Sequence, residues 1–390
     1  MALVKLKDVV MRVKDKVDRD TADLDFYIGG EHFDYAEICI SRRGVIQGST
    51  IGPAFHMRFQ PGDVLLMSRN PHLRKAGVVD FEGICSDVSY VCRTKDENVL
   101  LQRYLPFIFQ TDHFWDFAES NKKGSTNFFL NWSDFEKYEF NLPPIEIQRE
   151  LTELLWAAEN TKLAYVDLLR QTDELVKSQF IEMFGDIKEH IKLPLVEFGS
   201  IIEIGPQNGL YKSSKFYRLD QSGTPIVRVD SFYDGRVTDY STLKRLDCSS
   251  EEISTYGLKD GDLVFNRVNG SVEHVGKCAL ISGLREETVF ESNMMRVRTD
   301  PSKVDIGFLS TYLCSDIVRN QIKEKARVAN QASVNQRDIR SILIPLPDIE
   351  LQREYATFVR QSDKSKFELK QAIERVTNLM KSLMQQDFAN

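Results

Sequence analysis

Six histidines and six cysteines, with 58 acidic side chains, are the raw material for acid–base, nucleophilic or metal chemistry, and their spacing decides whether any is possible. His32, His56, His72, His113, His190 and His274 form no ligand-spaced set, and Cys39, Cys85, Cys92, Cys248, Cys278 and Cys314 make no C-x-x-C pair. That pattern argues against a zinc site and against a disulfide framework, and predicts reduced, mostly buried thiols. G-x-x-x-x-G-K-[ST], G-x-G-x-x-G after a strand, H-E-x-x-H and G-x-S-x-G are all missing, which removes the usual phosphate cradle, dinucleotide turn, zinc-hydrolase helix and nucleophile elbow. Asn70-Pro71 continues with His72-Leu73, not with the second proline and aromatic that an adenine methyltransferase uses to hold a flipped base. Catalysis by this chain is not expected, and neither is a metal or cofactor of its own.

The elements that could position a binding surface are marked by a repeat. Leu142-Pro143-Pro144-Ile145-Glu146-Ile147-Gln148-Arg149-Glu150 returns as Leu346-Pro347-Asp348-Ile349-Glu350-Leu351-Gln352-Arg353-Glu354, at a constant offset of 204 residues. Each copy opens a run of about forty residues with helical composition, about 60 Å at the usual rise. Proline suits such an entrance, because it forfeits no hydrogen bond that the helix would have made. Alternating steps of four and three through the first run give a heptad seam at Leu151, Leu155, Ala158, Lys162, Tyr165, Leu169, Thr172, Val176, Gln179 and Met183. The second run gives Tyr355, Val359, Ser362, Lys366, Leu369, Ile373, Val376, Met380, Leu383 and Asp387. Two copies with the same start and length are expected to pack together. Gly185, in Phe184-Gly185-Asp186, ends the first run and marks a linker.

Ahead of each run lies a globular half with its own recurrent order. Residues 61–69 read as a turn and strand, and residues 77–83 as a second short strand; residues 260–267 and 276–283 repeat the plan, and Ser86–Val91 then corresponds to Ser292–Val297. Amphipathic helical stretches follow at 100–119 and 306–325, then polar loops at 121–127 and 327–333.

The net charge of −7 points away from nucleic acid taken alone, but residues 145–184 hold eight acidic and four basic residues, so the first long helix accounts for much of it and loops elsewhere stay locally basic. Nothing approaches a membrane span or a signal-peptide core, and a cytoplasmic location without membrane contact is expected.

Two globular halves of unlike sequence, each ending in a Leu-Pro-x-Ile-Glu-x-Gln-Arg-Glu entrance to a long helix, resemble the specificity subunit of Type I restriction-modification systems. Gly261-Asp262-Leu263-Val264-Phe265-Asn266-Arg267-Val268-Asn269, followed by His274-Val275-Gly276-Lys277, is similar to a segment frequent in that family's target-recognition domains; Gly62-Asp63-Val64-Leu65 with Ser68-Arg69 is a variant in the first half. The resemblance implies an α+β fold with an internal pseudo-two-fold repeat. Target-recognition domains at 1–143 and 185–345 would be separated by long antiparallel helices at 144–184 and 346–390. It also implies a non-catalytic subunit that binds double-stranded DNA at a bipartite, asymmetric target, one half-site per domain, with the helices setting the spacer and docking two modification (methyltransferase) subunits. Restriction (translocase and nuclease) subunits would join them, and S-adenosylmethionine, ATP and magnesium would belong to those partners. The alternative is a coiled-coil adaptor that binds proteins rather than DNA.

If each half reads a half-site, base edges and phosphates call for Arg, Lys, Asn, Gln and Ser on loops beside strands. In the first half these are Arg42, Arg43, Gln47 and Ser49, then Arg69, Asn70, His72, Arg74 and Lys75. In the second they are Gln207, Asn208, Tyr211 and Lys212, then Arg267, Asn269, Ser271, Glu273 and Lys277, with Arg327, Asn330 and Gln331 on the late loop.

Overall fold

A computed structural model describes residues 2–19, 23–185, 193–220, 222–232, 235, 237, 240–328 and 330–388, with side chains to Gln385. His190 and the linker residue Asp186 lie outside the described residues, as does the side chain of Asp387. The chain divides into two compact units, one of residues 1–168 with 368–390 and one of residues 169–367.

In the first unit an antiparallel sheet has the order Val10–Val13, Ser89–Thr94, Val64–Met67, Ala76–Val78. Its central strands are buried on both faces, which explains the unbroken apolar run Val64-Leu65-Leu66-Met67. Val64 and Leu66 enter a core with Tyr104, Phe114 and Phe135, whereas Leu65 and Met67 enter another with Ile28, Phe59 and Val91. A second sheet runs Gly44–Val45, Phe26–Ile28, Gly83–Ser86, Phe55–Phe59, its middle pair parallel.

The second unit repeats the first sheet's order with Ile202–Asn208, Met294–Thr299, Leu263–Asn266 and Cys278–Leu280. Alternation again divides the central strand between two cores: Leu263 and Phe265 face Phe198 and Phe308, and Val264 faces Phe232 and Phe290. Its companion sheet also holds one parallel pair, Thr224–Val227 with Val289–Phe290.

The long helices run Ile145–Phe184 and Ile349–Phe388, 40 residues each, at the offset of the sequence repeat. Each is clamped at its entrance by a short antiparallel pair, Ala2–Lys5 with Glu139–Leu142 in the first unit and Leu195–Glu197 with Leu343–Pro345 in the second. Every described residue of both heptad seams is buried or half-buried. In the first unit Leu151, Leu155 and Ala158 share a core with Val376, Met380 and Leu383. In the second, Val176, Phe180 and Phe184 share one with Tyr355 and Val359. The helices run antiparallel there: the Tyr355 hydroxyl donates to Val176 O at 3.3 Å, and further along Lys366 meets Asp173, three residues earlier on the facing helix, at 2.9 Å. Gly185 closes the first long helix at φ +90°, its N–H donating to Ile181 O at 2.8 Å.

Several local expectations need adjustment. The stretch 77–83 is no single strand: Ala76–Val78 ends before the turn, and Gly83–Ser86 belongs to the other sheet. The stretches 100–119 and 306–325 each hold two helices, Leu105–Ile108 and Asp112–Asn121, then Ile306–Leu313 and Asp316–Lys325. Thr111 and Ser315 stand at the breaks, residues that suit a new helix start. Arg327–Val328 and Ala332–Ser333 pair antiparallel as a β-hairpin, and Ala329 lies outside the described residues. Thiol burial is divided: Cys85, Cys92 and Cys278 are buried, Cys39 and Cys248 half-buried, and Cys314 exposed.

Candidate nucleic-acid interface

The recurring Gly-Asp pair is a fastener. Gly62 and Gly261 sit at φ +89° and +93°, conformations that suit glycine at a tight turn. Each following aspartate closes its turn, Asp63 Oδ2 accepting from Gln60 N–H at 2.7 Å and Asp262 Oδ2 from Lys259 N–H at 2.9 Å. Each also takes a two-pronged guanidinium from the neighbouring strand. Arg298 reaches Asp262 at 2.7 and 2.9 Å, and Arg93 holds Asp63 in the same way. Both carboxylates are buried, so the motif fixes the strand that carries the candidate readers and takes no part in reading.

In the second unit that strand ends at Asn266 and continues through Arg267 into Val268–Asn269, which pairs with Ala332–Ser333 and through it with Arg327–Val328. This three-stranded ladder brings Arg267 and Asn269 together with Arg327, Asn330 and Gln331. Arg267 Nη1 donates to Ser292 O at 3.0 Å, while Ser292 N–H donates to Leu210 O at 2.9 Å. Residues 208–212 are thereby tied to the same place, with Tyr211 80% exposed.

The first unit has the corresponding feature. Lys123 and Phe129 exchange both backbone hydrogen bonds, at 2.8 and 3.0 Å, Phe129 bridges to Arg69, and Asn70 N–H donates to Phe128 O at 2.9 Å. Residues 123–129 thus form a hairpin on the continuation of Val64–Met67, with Gly124 at φ +94° and Ser125, Thr126 and Asn127 exposed at its tip. These three were not among the selected readers, although the 204-residue offset carries Asn330 onto Thr126 and Gln331 onto Asn127.

Many candidates are occupied within the chain. Arg42 pairs with Asp34, Arg74 with Asp112, Lys212 with Glu252 at 2.6 Å and Glu273 with Lys323 at 2.6 Å. The Lys212 partner and the Lys323 partner hold the Glu252 and Glu273 carboxyls below their ordinary range. Lys75 donates to Gly30 O at 2.6 Å, and Ser49 to Ile46 O at 2.7 Å. Arg43 stacks over Phe26 at 4.1 Å and over Phe81 at 4.6 Å. Gln207 is held by Arg296, a buried arginine whose pKa burial pushes down, and donates to Thr255 O at 3.1 Å. Asn269 accepts from Ser271 N–H at 3.1 Å, and Ser271 caps the short helix Val272–His274. Among the described residues, the side chains of Gln47, His72, Asn208, Tyr211, Arg327, Asn330 and Gln331 are exposed with no hydrogen bond or ion pair, and half-buried Lys277 makes none either. Arg42, Arg43, Gln47 and Ser49 flank the second sheet, not the hairpin.

Among the described residues no group of three or more His, Cys, Asp or Glu could hold a metal ion, and no helix is long and apolar enough to cross a membrane.

Residues 194–377 match the family described as Type I restriction modification DNA specificity domain. The chain is 24% identical over 326 residues to the EcoKI specificity subunit of Escherichia coli, covering 78% of this chain and 68% of that protein. It is 31% identical over 195 residues to the MjaX specificity subunit, a putative one, of Methanocaldococcus jannaschii, covering 49% of this chain and 44% of that protein. The crystal structure of a Type I restriction-modification S subunit from M. genitalium superposes with a TM-score of 0.58 at 13% identity, covering all of this chain and 96% of that one, a likeness of fold. Residues 194–377 thus carry the match to the Type I DNA specificity domain, and the chain as a whole, with its repeated helix entrance and duplicated sheet order, is similar to Type I specificity subunits.

Proposed function

We propose that this chain is the DNA sequence-recognition subunit of a Type I restriction-modification enzyme and that its two hairpins are the reading elements. The observation that carries the assignment of the site is the duplicated hairpin set on the strand after each Gly-Asp fastener, exposing Arg327, Asn330 and Gln331 in one unit and Ser125, Thr126 and Asn127 in the other. These side chains suit base edges: arginine matches the two acceptors of guanine, and asparagine or glutamine the acceptor and donor of adenine. Of the remaining sequence candidates, Gln47, His72, Asn208, Tyr211 and Lys277 are free for DNA, whereas Arg42, Arg74, Lys75, Lys212, Gln207 and Glu273 serve better as supports. Unlike tips, Ser-Thr-Asn against Asn-Gln, imply unlike half-sites and an asymmetric bipartite target.

The chain contributes recognition while chemistry resides in partners. Two modification subunits would bring S-adenosylmethionine, and restriction subunits ATP and magnesium, in the cytoplasm. Apolar residues on the outer face of the first helix support docking: Leu154 and Leu168, 48% and 46% exposed, stand two heptads apart, and Leu175 (52%) follows one heptad on. Their repeat partners Phe358, Ala372 and Leu379 are apolar, the first two half-buried and Leu379 52% exposed, and leucines held in water suit a protein partner. Competition binding by the chain in complex with its modification subunit tests the reading. One bipartite duplex should outcompete random duplexes by at least 10³-fold, as specific binding commonly does; equal binding of all duplexes rejects it.

A further inference from the structure

Each unit carries a groove where the start of a short helix faces the long helices, and the two grooves are built from equivalent residues. In the first unit the groove is about 310 Å³ and in the second about 600 Å³. Nine of the thirteen residues lining the first map, by the 204-residue offset, onto residues lining the second. Asp112, Lys162 and Lys381 become Asp316, Lys366 and Lys177 without change of type, and Thr111 becomes Ser315. Met380 and Met384 become Val176 and Phe180, so the floor stays apolar.

The charges are arranged alike as well. Asp112 is paired with Arg74, from a loop of the first globular half, and Asp316 with Arg319, from its own helix. The arginine comes from different places and does the same thing. Lys162 is paired with Glu159 at 2.6 Å, and Lys366 with Asp173 at 2.9 Å. Lys381 and Lys177 are exposed, and among the described residues no ion pair engages either. Each groove also holds a buried polar atom without a partner among the described residues, Gln110 Oε1 in the first and Ser315 Oγ in the second. Gln110 is only 8% exposed, and its amide nitrogen is fixed by Glu37 O at 2.7 Å and by Ala76 O. Its oxygen is therefore left as a fixed acceptor in need of a donor.

A polypeptide segment answers all three features at once: a backbone N–H for the orphan oxygen, an apolar side chain for the floor, and a carboxylate for the free lysine at the rim. Retention of the groove in both halves of an otherwise divergent repeat implies two copies of one partner. We infer that each groove receives the same acidic, apolar-anchored segment of a partner protein and, resting on the reading that two modification subunits dock on this chain, that one modification subunit occupies each groove.

Native mass spectrometry of the full chain with its modification subunit tests this. The wild-type chain should carry two subunits, Lys381→Glu and Lys177→Glu one each, and the double variant none at concentrations that saturate the wild type, each site weakening at least tenfold. Both lysines are exposed, so folding should be retained, as thermal melts would verify, and Lys→Arg at both positions should keep two subunits. A double variant that still carries two overturns the groove assignment alone. A wild-type chain that carries none overturns the modification-subunit reading together with this inference. A double variant that keeps both subunits but loses DNA affinity would assign the lysines to the DNA backbone and likewise overturn it.

Discussion

The side-chain amide of Gln148 donates to the carbonyl of Pro143 at 2.8 Å, and four residues into the other long helix Gln352 does the same to Pro347, also at 2.8 Å. Both glutamines are fully buried. Gln148 further donates to Val99 O at 2.8 Å and accepts from Leu101 N–H at 3.1 Å. Gln352 donates to Lys303 O at 3.3 Å and accepts from Asp305 N–H at 2.8 Å. One side chain thus ties the proline entrance of each helix to the loop that leaves its sheet, which explains why the repeat preserves this glutamine. Gln148→Met and Gln352→Met keep the shape but strand three backbone groups each. Each should cost about 2–3 kcal/mol, read as a lowered urea midpoint with unchanged m-value.

The aspartate of each Gly-Asp fastener should be worth more than an exposed ion pair. Asp262 is fully buried and meets Arg298 twice, so Asp262→Ala leaves a guanidinium without its counter-ion beside the sheet. A loss of about 3–5 kcal/mol is expected from breaking such a pair, against well under 1 kcal/mol for Arg58→Ala, whose partner Glu82 is half exposed. Calorimetric melts of the two variants check the contrast.

Removing hairpin side chains should affect recognition and leave stability alone. Arg327→Ala and Gln331→Ala should each weaken binding to the cognate duplex by about 10-fold to 100-fold, the cost of one good base contact, and relax preference in one half-site only. Asn127→Ala should relax the other half-site. Lys75→Ala, by contrast, removes a tie to Gly30 O and should reduce stability more than specificity. Selection from a randomised duplex library separates these outcomes.

Phosphate contact makes binding salt-dependent in spite of the net charge of −7. With about six contacts, affinity should fall roughly 10³-fold between 50 and 200 mM salt. A flat salt response would favour a protein-binding adaptor.

The sequence made the long helices legible because their signal is local and repeated: a proline entrance, a heptad seam and a glycine stop at Gly185. The sheet strands were legible only in outline. Val64-Leu65-Leu66-Met67 is apolar at every position because each face meets a different core, and such a run carries no period from which its pairing could be read. The hairpins were missed for another reason. Both stretches are rich in polar residues, and what makes strands of Ala332–Ser333 and of Phe129 is pairing to Val268–Asn269 and to Arg69, distant in sequence. Arg74, Lys75 and Lys212 illustrate the limit of residue type as a guide to binding: their partners Asp112, Gly30 and Glu252 come from elsewhere in the chain.

The most direct test is long-read sequencing with methylation detection on DNA from cells that express this chain with its modification subunit. The account predicts adenine methylation confined to one bipartite, asymmetric sequence, with Arg327→Ala relaxing one arm and Asn127→Ala the other. Methylation scattered without a common bipartite motif, or a motif whose arms both respond to a single hairpin, would contradict it.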